Sequence, residues 1–405
     1  NPMEYATHFY LLNENNEWYE PTEAKLEDGT TEVKSYQFKN FNSLTTVELP
    51  STITRIDEGA FEACQALQNV YYYGTLEDWM NIEFVSFISN PMYYAKHFYM
   101  LDENNEWYEP QIIKVPDGVT EIKDTQFINF TSLLSIELPS TITRIGYETF
   151  AGCEQLINVY YQGTMEEWLQ IEMCYNPMNF AKHFYVLSNE EKFIEPTEVV
   201  IPEGTTELKD NSFRNINTIT KITLPSTLTR IGYGNFSEDS SLREVYYTGN
   251  VSDWMNVEKP SWDSSIYRNL EYFYMLDENS NWYNTTEIVI PEGVTTIDYS
   301  EFAYNEIVTS LVLPASIDYI GSEAFYECYN IENVYYKGTL EDWIQIYFES
   351  YKVKFFVSQF HHKRAFFLRI YHNKSLFCRE NKSLLKNNIY FYNRCYFLFF
   401  ILLFD

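Results

Sequence analysis

Apolar and polar positions recur along most of this chain with a period of 23 residues. The clearest stretch is Ile136-Glu137-Leu138-Pro139, followed by Ser140-Thr141-Ile142-Thr143-Arg144-Ile145-Gly146 and then Phe150, Cys153 and Leu156. Alternation before the proline puts Ile136 and Leu138 on one side and Glu137 on the other, which predicts a short strand. Proline ends that strand, where a missing N–H is tolerated. The Phe-x-x-Cys-x-x-Leu run has near-helical spacing and predicts a compact helical return, with all three residues pointing inward. Relatives of the stretch stand at Leu49-Pro50, Leu224-Pro225 and Leu313-Pro314. Upstream copies are Val115-Pro116, Ile201-Pro202 and Ile290-Pro291, with Leu26-Glu27 as the form without proline. Downstream copies are Val70-Tyr71-Tyr72, Val159-Tyr160-Tyr161, Val245-Tyr246-Tyr247 and Val334-Tyr335-Tyr336. A fixed period in this range marks a solenoid, in which each coil covers its neighbours' apolar faces.

A longer period lies over the short one. Trp79, Trp168, Trp254 and Trp343 stand 89, 86 and 89 residues apart and mark four modules, approximately 1–89, 90–175, 176–263 and 264–350. A module opens on Asn-Pro-Met and a hairpin. In the second module, His97–Leu101 and Glu106-Trp107-Tyr108 flank the polar turn Asp102–Asn105. Aromatic strands around an Asn/Asp-rich turn are a hairpin signal. Two 23-residue coils follow, then a modified third that continues Gly-Thr-Leu-Glu-Asp-Trp. Thr with Asp or Glu three residues later is a capping box, so short helices are expected after Thr75, Thr164 and Thr339, and after Asn250 with Asn as cap. The tryptophan is expected to pack on the adjoining module.

Charge divides the chain unevenly. Residues 351–405 hold 10 Lys/Arg and 2 Asp/Glu, and the remainder holds 18 and 56, so the body carries −38 within a total of −30. Such an acidic body disfavours nucleic acid and anionic lipid as partners. The tail lacks Gly, Pro, Thr, Met and Trp and breaks the repeat. Its composition reads better as an out-of-frame translation of AT-rich DNA than as a genuine basic tail. Its apolar run, Cys395–Phe404, is too short to span a bilayer, and no transmembrane segment is evident. The chain starts at Asn1 within a repeated phrase. That start is expected to be a fragment boundary, and no signal peptide is visible.

Repetition also decides most of the candidate chemistry. Cys64, Cys153 and Cys328 share one slot, which Asp239 fills in the third module. Slots several coils apart are beyond disulfide reach, so these are expected to be small buried core residues. His8, His97 and His183 begin successive hairpins and are expected to form structural hydrogen bonds rather than one metal site. Asp102–Glu106 lacks the alternating ligands and glycine of a calcium loop and reads as a solvated turn. Glu77-Asp78 and Glu341-Asp342 suit the first turn of a helix. No phosphate loop or nucleophile–base arrangement is present, so no catalytic, cofactor or metal residues are assigned and no cofactor is expected.

The pattern Leu-Pro-Ser-x-Ile-Thr-x-Ile-Gly-x-x-x-Phe-x-x-Cys-x-x-Leu resembles the 23-residue leucine-rich repeat of BspA-like surface proteins. The phrase Val-Tyr-Tyr-x-Gly-Thr-Leu-Glu-Asp-Trp is similar to the longer modules of bacterial members. The match covers roughly 1–350. The resemblance implies a right-handed leucine-rich repeat solenoid, an α/β repeat with a parallel strand face and inserted β-hairpins. It implies a secreted or cell-surface protein that works in adhesion or protein binding, and it carries over no catalytic residue.

The outward residues of the strands then form the candidate ligand face: Glu48 and Tyr71, Glu137 and Tyr160, Thr223 and Tyr246, Val312 and Tyr335. Lys25, Lys114, Val200 and Val289 extend it by one coil in each module. A tyrosine supplies a rigid plane and one hydroxyl at low entropic cost, which suits a protein or a glycan. The plainer reading is structural filler, since a packing rule would also keep the tyrosine in every module. A binding scaffold, a glycan module and a structural spacer are the three functions these features allow.

Overall fold

The structure is a computed structural model that describes residues 3, 5–188, 190–236, 241–259, 265–277 and 279–349, with the backbone of two strands, Phe367–Ile370 and Leu398–Phe400. Those two strands pair antiparallel. The rest of the 351–405 tail, and Asp239 of the cysteine slot, lie outside the described residues. The chain divides into two compact units, Asn1–Thr285 and Thr286–Asp405.

In both units a coil gives one strand to each of two parallel sheets. In the first module the long sheet runs Glu23–Lys25, Thr46–Leu49 and Asn69–Tyr72, paired parallel and in register. The short sheet runs Glu32–Val33, Arg55–Ile56 and Glu83–Phe84. Alternation is as read from the sequence: Ile136 and Leu138 are buried and Glu137 is half-exposed. The core lies between the sheets and the returning chain, and Val47, Leu49, Ile56, Phe61, Cys64, Leu67 and Val70 are wholly buried in it.

The helical return is not observed. Phe61, Cys64 and Leu67 point inward, but on successive turns closed by Cys64 N–H to the Phe61 carbonyl and Leu67 N–H to the Cys64 carbonyl. Gly59 and Ala63 sit at φ of 60° and 61°, and Glu148 and Gly152 do the same at 50° and 76°. Left-handed residues interrupt a helix at each turn. The backbone bonds to the neighbouring coil instead, as with Phe38 N–H to the Ala60 carbonyl and Asn40 N–H to the Glu62 carbonyl.

The four short helices start where their caps predict. Leu76–Asn81, Met165–Trp168, Val251–Met255 and Leu340–Trp343 each have a complete capping box, on Thr75, Thr164, Asn250 and Thr339. Trp79 and Trp168 are buried and reach forward to the next module's first coil. Their indole N–H groups donate to the Gln126 and Ser212 carbonyls, both at 3.0 Å. Asn90 and Asn176 of the Asn-Pro-Met phrase bond the same coils, through the Thr125 and Asn211 carbonyls. Where the phrase is missing, Trp254 donates to the Tyr267 hydroxyl at 2.6 Å.

The hairpins are part of the ladder. His97–Leu101 pairs parallel with Asn69–Tyr72 as a fourth rung, and Trp107–Tyr108 returns antiparallel on its far side. His183–Leu187 with Phe193–Ile194, and Tyr272–Leu276 with Trp282–Asn284, do the same. Three sheets are thus built from the coils of one module and the hairpin that opens the next, each ended by an antiparallel strand; the fourth, Glu287–Val289, Ser310–Leu313 and Asn333–Tyr336, has parallel strands alone among the described residues.

Candidate functional site

The outward residues of the long sheet stand opposite one another rung by rung. Lys25, Glu48, Tyr71 and Tyr99 form one column, and Lys114, Glu137, Tyr160 and Tyr185 the next. Val200, Thr223, Tyr246 and Tyr274 form the third. In the second unit Val289, Val312 and Tyr335 align the same way.

The parallel register brings rings together. Tyr71 and Tyr99 stack at 4.6 Å with planes 12° apart, Tyr160 and Tyr185 at 4.6 Å and 10°, and Tyr246 and Tyr274 at 4.6 Å and 18°. A third ring, from the returning hairpin strand, crosses each pair nearly at right angles. Trp107 lies 4.9 Å from Tyr71 at 78°, Phe193 5.1 Å from Tyr160 at 69°, and Trp282 5.1 Å from Tyr246 at 89°. These crossing rings remain 37%, 40% and 43% exposed. Tyr335, 54% exposed, has no such stacked ring among the described residues.

Charged neighbours tune the columns. Lys25 pairs with Glu48 at 2.9 Å and donates to the Tyr73 hydroxyl, which in turn donates to Glu48 at 2.7 Å. Burial works to raise the Glu48 carboxyl, but the hydrogen bonds from Lys25 and Tyr73 outweigh it and hold it below its ordinary value. In the second module Lys114 pairs with Glu137 at 3.1 Å, and Gln162 donates to the same carboxylate. The third and fourth columns replace both charges with Val200 and Thr223, and with Val289 and Val312.

The other candidates take structural places. His8, His97 and His183 bond Glu20, Glu109 and Glu195 at 2.9, 2.6 and 2.8 Å, each closing its own hairpin, so the three do not converge. Asp102 accepts from the backbone N–H groups of Asn104 and Glu106, both at 2.8 Å, so this carboxylate is already engaged in the turn. Cys64, Cys153 and Cys328 donate to the Phe38, Phe127 and Phe302 carbonyls, and burial pushes their thiols up to about 12. Among the described residues no cluster of His, Cys, Asp or Glu could hold a metal, and no helix is long and apolar enough to cross a membrane.

A family model for the BspA type leucine rich repeat region matches residues 18–90, 107–192, 189–256 and 279–364, more than half of the chain. The chain belongs to the BspA-type leucine-rich repeat family. A leucine rich cell surface protein of Faecalibacterium prausnitzii is similar at 18% identity over 85% of this chain and 97% of its own, with a TM-score of 0.37. A leucine-rich repeat protein of Bacteroides ovatus gives 19%, 81%, 93% and 0.38. The pneumococcal vaccine antigen PcpA gives 14%, 78%, 72% and 0.30. No curated protein matches. Membership rests on the repeat match.

Two features of this BspA-type chain escaped the sequence reading. The hairpin residues Tyr99, Tyr185 and Tyr274 belong to the strand face. Their signal was the phase of Phe98-Tyr99-Met100, buried, half-buried, buried like Val70-Tyr71-Tyr72. The second is an arginine ladder on the short sheet. Arg55 pairs with Asp57 at 2.7 Å and Glu83 at 2.6 Å, Arg144 with Asp124 at 3.1 Å and Glu121, and Arg230 with Asp210 at 2.8 Å and Glu207. All but Arg55–Asp57 tie neighbouring coils together, and the recurrent Thr-Arg-Ile phrase was their signal.

Proposed function

We propose that this protein is a non-catalytic, secreted or cell-surface scaffold that binds a protein partner through the long-sheet face, with the stacked tyrosines as anchors. One observation carries the reading. The three-ring cluster recurs with the same geometry at three module junctions while its rings stay partly exposed. Aromatic rings held rigid at low entropic cost are favoured anchors in protein interfaces. Membership of the BspA-type family supports the surface location. Each tyrosine spends one ring face on its stacked neighbour, which leaves less open ring surface for a glycan than an isolated ring would.

The test pairs a panel of extracellular matrix proteins with a glycan array. Tyr160→Ala with Tyr246→Ala is expected to weaken protein capture by about tenfold or more while the circular dichroism spectrum is unchanged. Capture untouched by the double substitution removes the strand face as the site. Retention on the glycan array alone replaces protein with sugar as the ligand.

A further inference from the structure

Three features of the clusters restrict what they can recognise. The first is shape: two stacked rings with a third packed across one of them present a rigid, partly exposed aromatic surface. The second is hydrogen bonding. The hydroxyls of Tyr71, Tyr99, Tyr160, Tyr185 and Tyr274, and the indole N–H groups of Trp107 and Trp282, have no hydrogen-bond partner among the described residues. Each cluster is therefore apolar in its rings and carries donors that no described residue uses. The third is repetition, since the arrangement occurs three times within residues 1–285. A folded partner rarely offers one irregular surface three times, but a low-complexity polypeptide does.

A polyproline II helix matches this chemistry. It shows pyrrolidine rings to its surroundings, and its backbone carbonyls have no internal hydrogen bonds and so need donors. Being preformed, it loses little entropy on docking in an aromatic groove. Charge narrows the class further. Residues 1–350 carry a formal −38, so a basic chain is drawn in and an acidic one repelled. Glu48, Glu109, Glu195 and Glu244 lie on or beside the three columns. A single cluster covers too little area for stable binding, but linked copies raise the effective concentration of the next contact.

We infer that the three clusters form an array for a basic, proline-rich polypeptide in the polyproline II conformation. This rests on the strand-face reading above and names its partner class. The second cluster is the weakest of the three, because Phe193 lacks the indole donor of Trp107 and Trp282.

The probes are two synthetic peptides of equal length and charge, one of Pro-Pro-Arg repeats and one of Ala-Ala-Arg repeats, titrated against the full chain by fluorescence anisotropy. The proline peptide is expected to bind about tenfold or more tightly than the alanine peptide. Replacing Tyr99, Tyr185 and Tyr274 together by Phe keeps the rings and removes their hydroxyls, and it should cost the proline peptide several-fold, about 3-fold or more. Phe193→Trp should strengthen binding. Equal affinity for the two peptides means that only the acidic surface is sensed, and the inference falls. It also falls if the triple Phe variant binds unchanged. If matrix proteins lose binding in Tyr160→Ala with Tyr246→Ala while neither peptide binds, the strand-face reading stands and the proline array does not.

Discussion

Each module carries two tyrosines side by side, and they are kept for different reasons. Tyr72, Tyr161 and Tyr247 point inward and are wholly buried. Each meets a tryptophan edge-on, at 5.4, 5.4 and 4.9 Å. A glycine two residues on makes room for the ring. A Cβ at Gly163 would stand 2.5 Å from Cε1 of Tyr161. Tyr71, Tyr160 and Tyr246 point outward, where nothing comparable confines them. Repetition looks identical in the two columns, so repetition alone separates neither packing from binding. What separates them is whether the surroundings would reject another residue. The inner column has such surroundings, and the outer column has a stacked and a crossing ring but stays half-buried.

The largest break in this comparison is Tyr161→Ala. Removing a buried aromatic leaves a cavity against Trp168, and urea melts should show a loss of about 3–5 kcal/mol. A loss below about 1 kcal/mol would mean that the inner column is not structural. Tyr160→Ala comes next and should cost the fold only about 0.5–1.5 kcal/mol, the worth of a stacked pair, while weakening partner capture. A cost as large as that at Tyr161 would make both columns packing. Tyr247→Phe removes a buried hydroxyl that has no hydrogen-bond partner. Its melting temperature should hold or rise, since an unpaired buried polar group is itself destabilising.

The smallest effect is at the hairpin turn. The Asp102 carboxyl is held below its ordinary value, chiefly by the Glu106 backbone N–H, against some desolvation and with help from Asn104. A lowered folded-state value means that this stabilisation is present at neutral pH and fades as pH falls through the carboxylate range. Melts from about pH 7 to about pH 3 should show a slightly weaker acid dependence in Asp102→Asn than in the parent. An identical dependence would show that the turn does not depend on that charge.

Strand phase, proline stops and helix starts could all be read from single residues, because each depends on chemistry local to it. Thr164 and Glu167 announce a helix whatever surrounds them, and Ile136 and Leu138 announce a buried side. The turn at Phe150 was misread because three-residue spacing fits a helix and a run of stacked turns equally well. Only the left-handed backbone at Glu148 and Gly152 tells them apart, and Glu148 does not advertise it. The clusters were half legible. Tyr71, Tyr160 and Tyr246 share the repeat's own phase, whereas Tyr99, Tyr185 and Tyr274 sit in segments that look like insertions. Trp107 reaches Tyr71 through a strand pairing that no spacing along the chain encodes.

The antiparallel strand that ends each of the first three long ladders acts as a reset. A coil added behind it starts a new hydrogen-bond ladder instead of extending the old one, so an error in one module's strand alignment stops at its own last strand. In-frame duplication or loss of a whole module would then leave the remaining ladders intact, and the number of aromatic clusters could change without redesigning any of them.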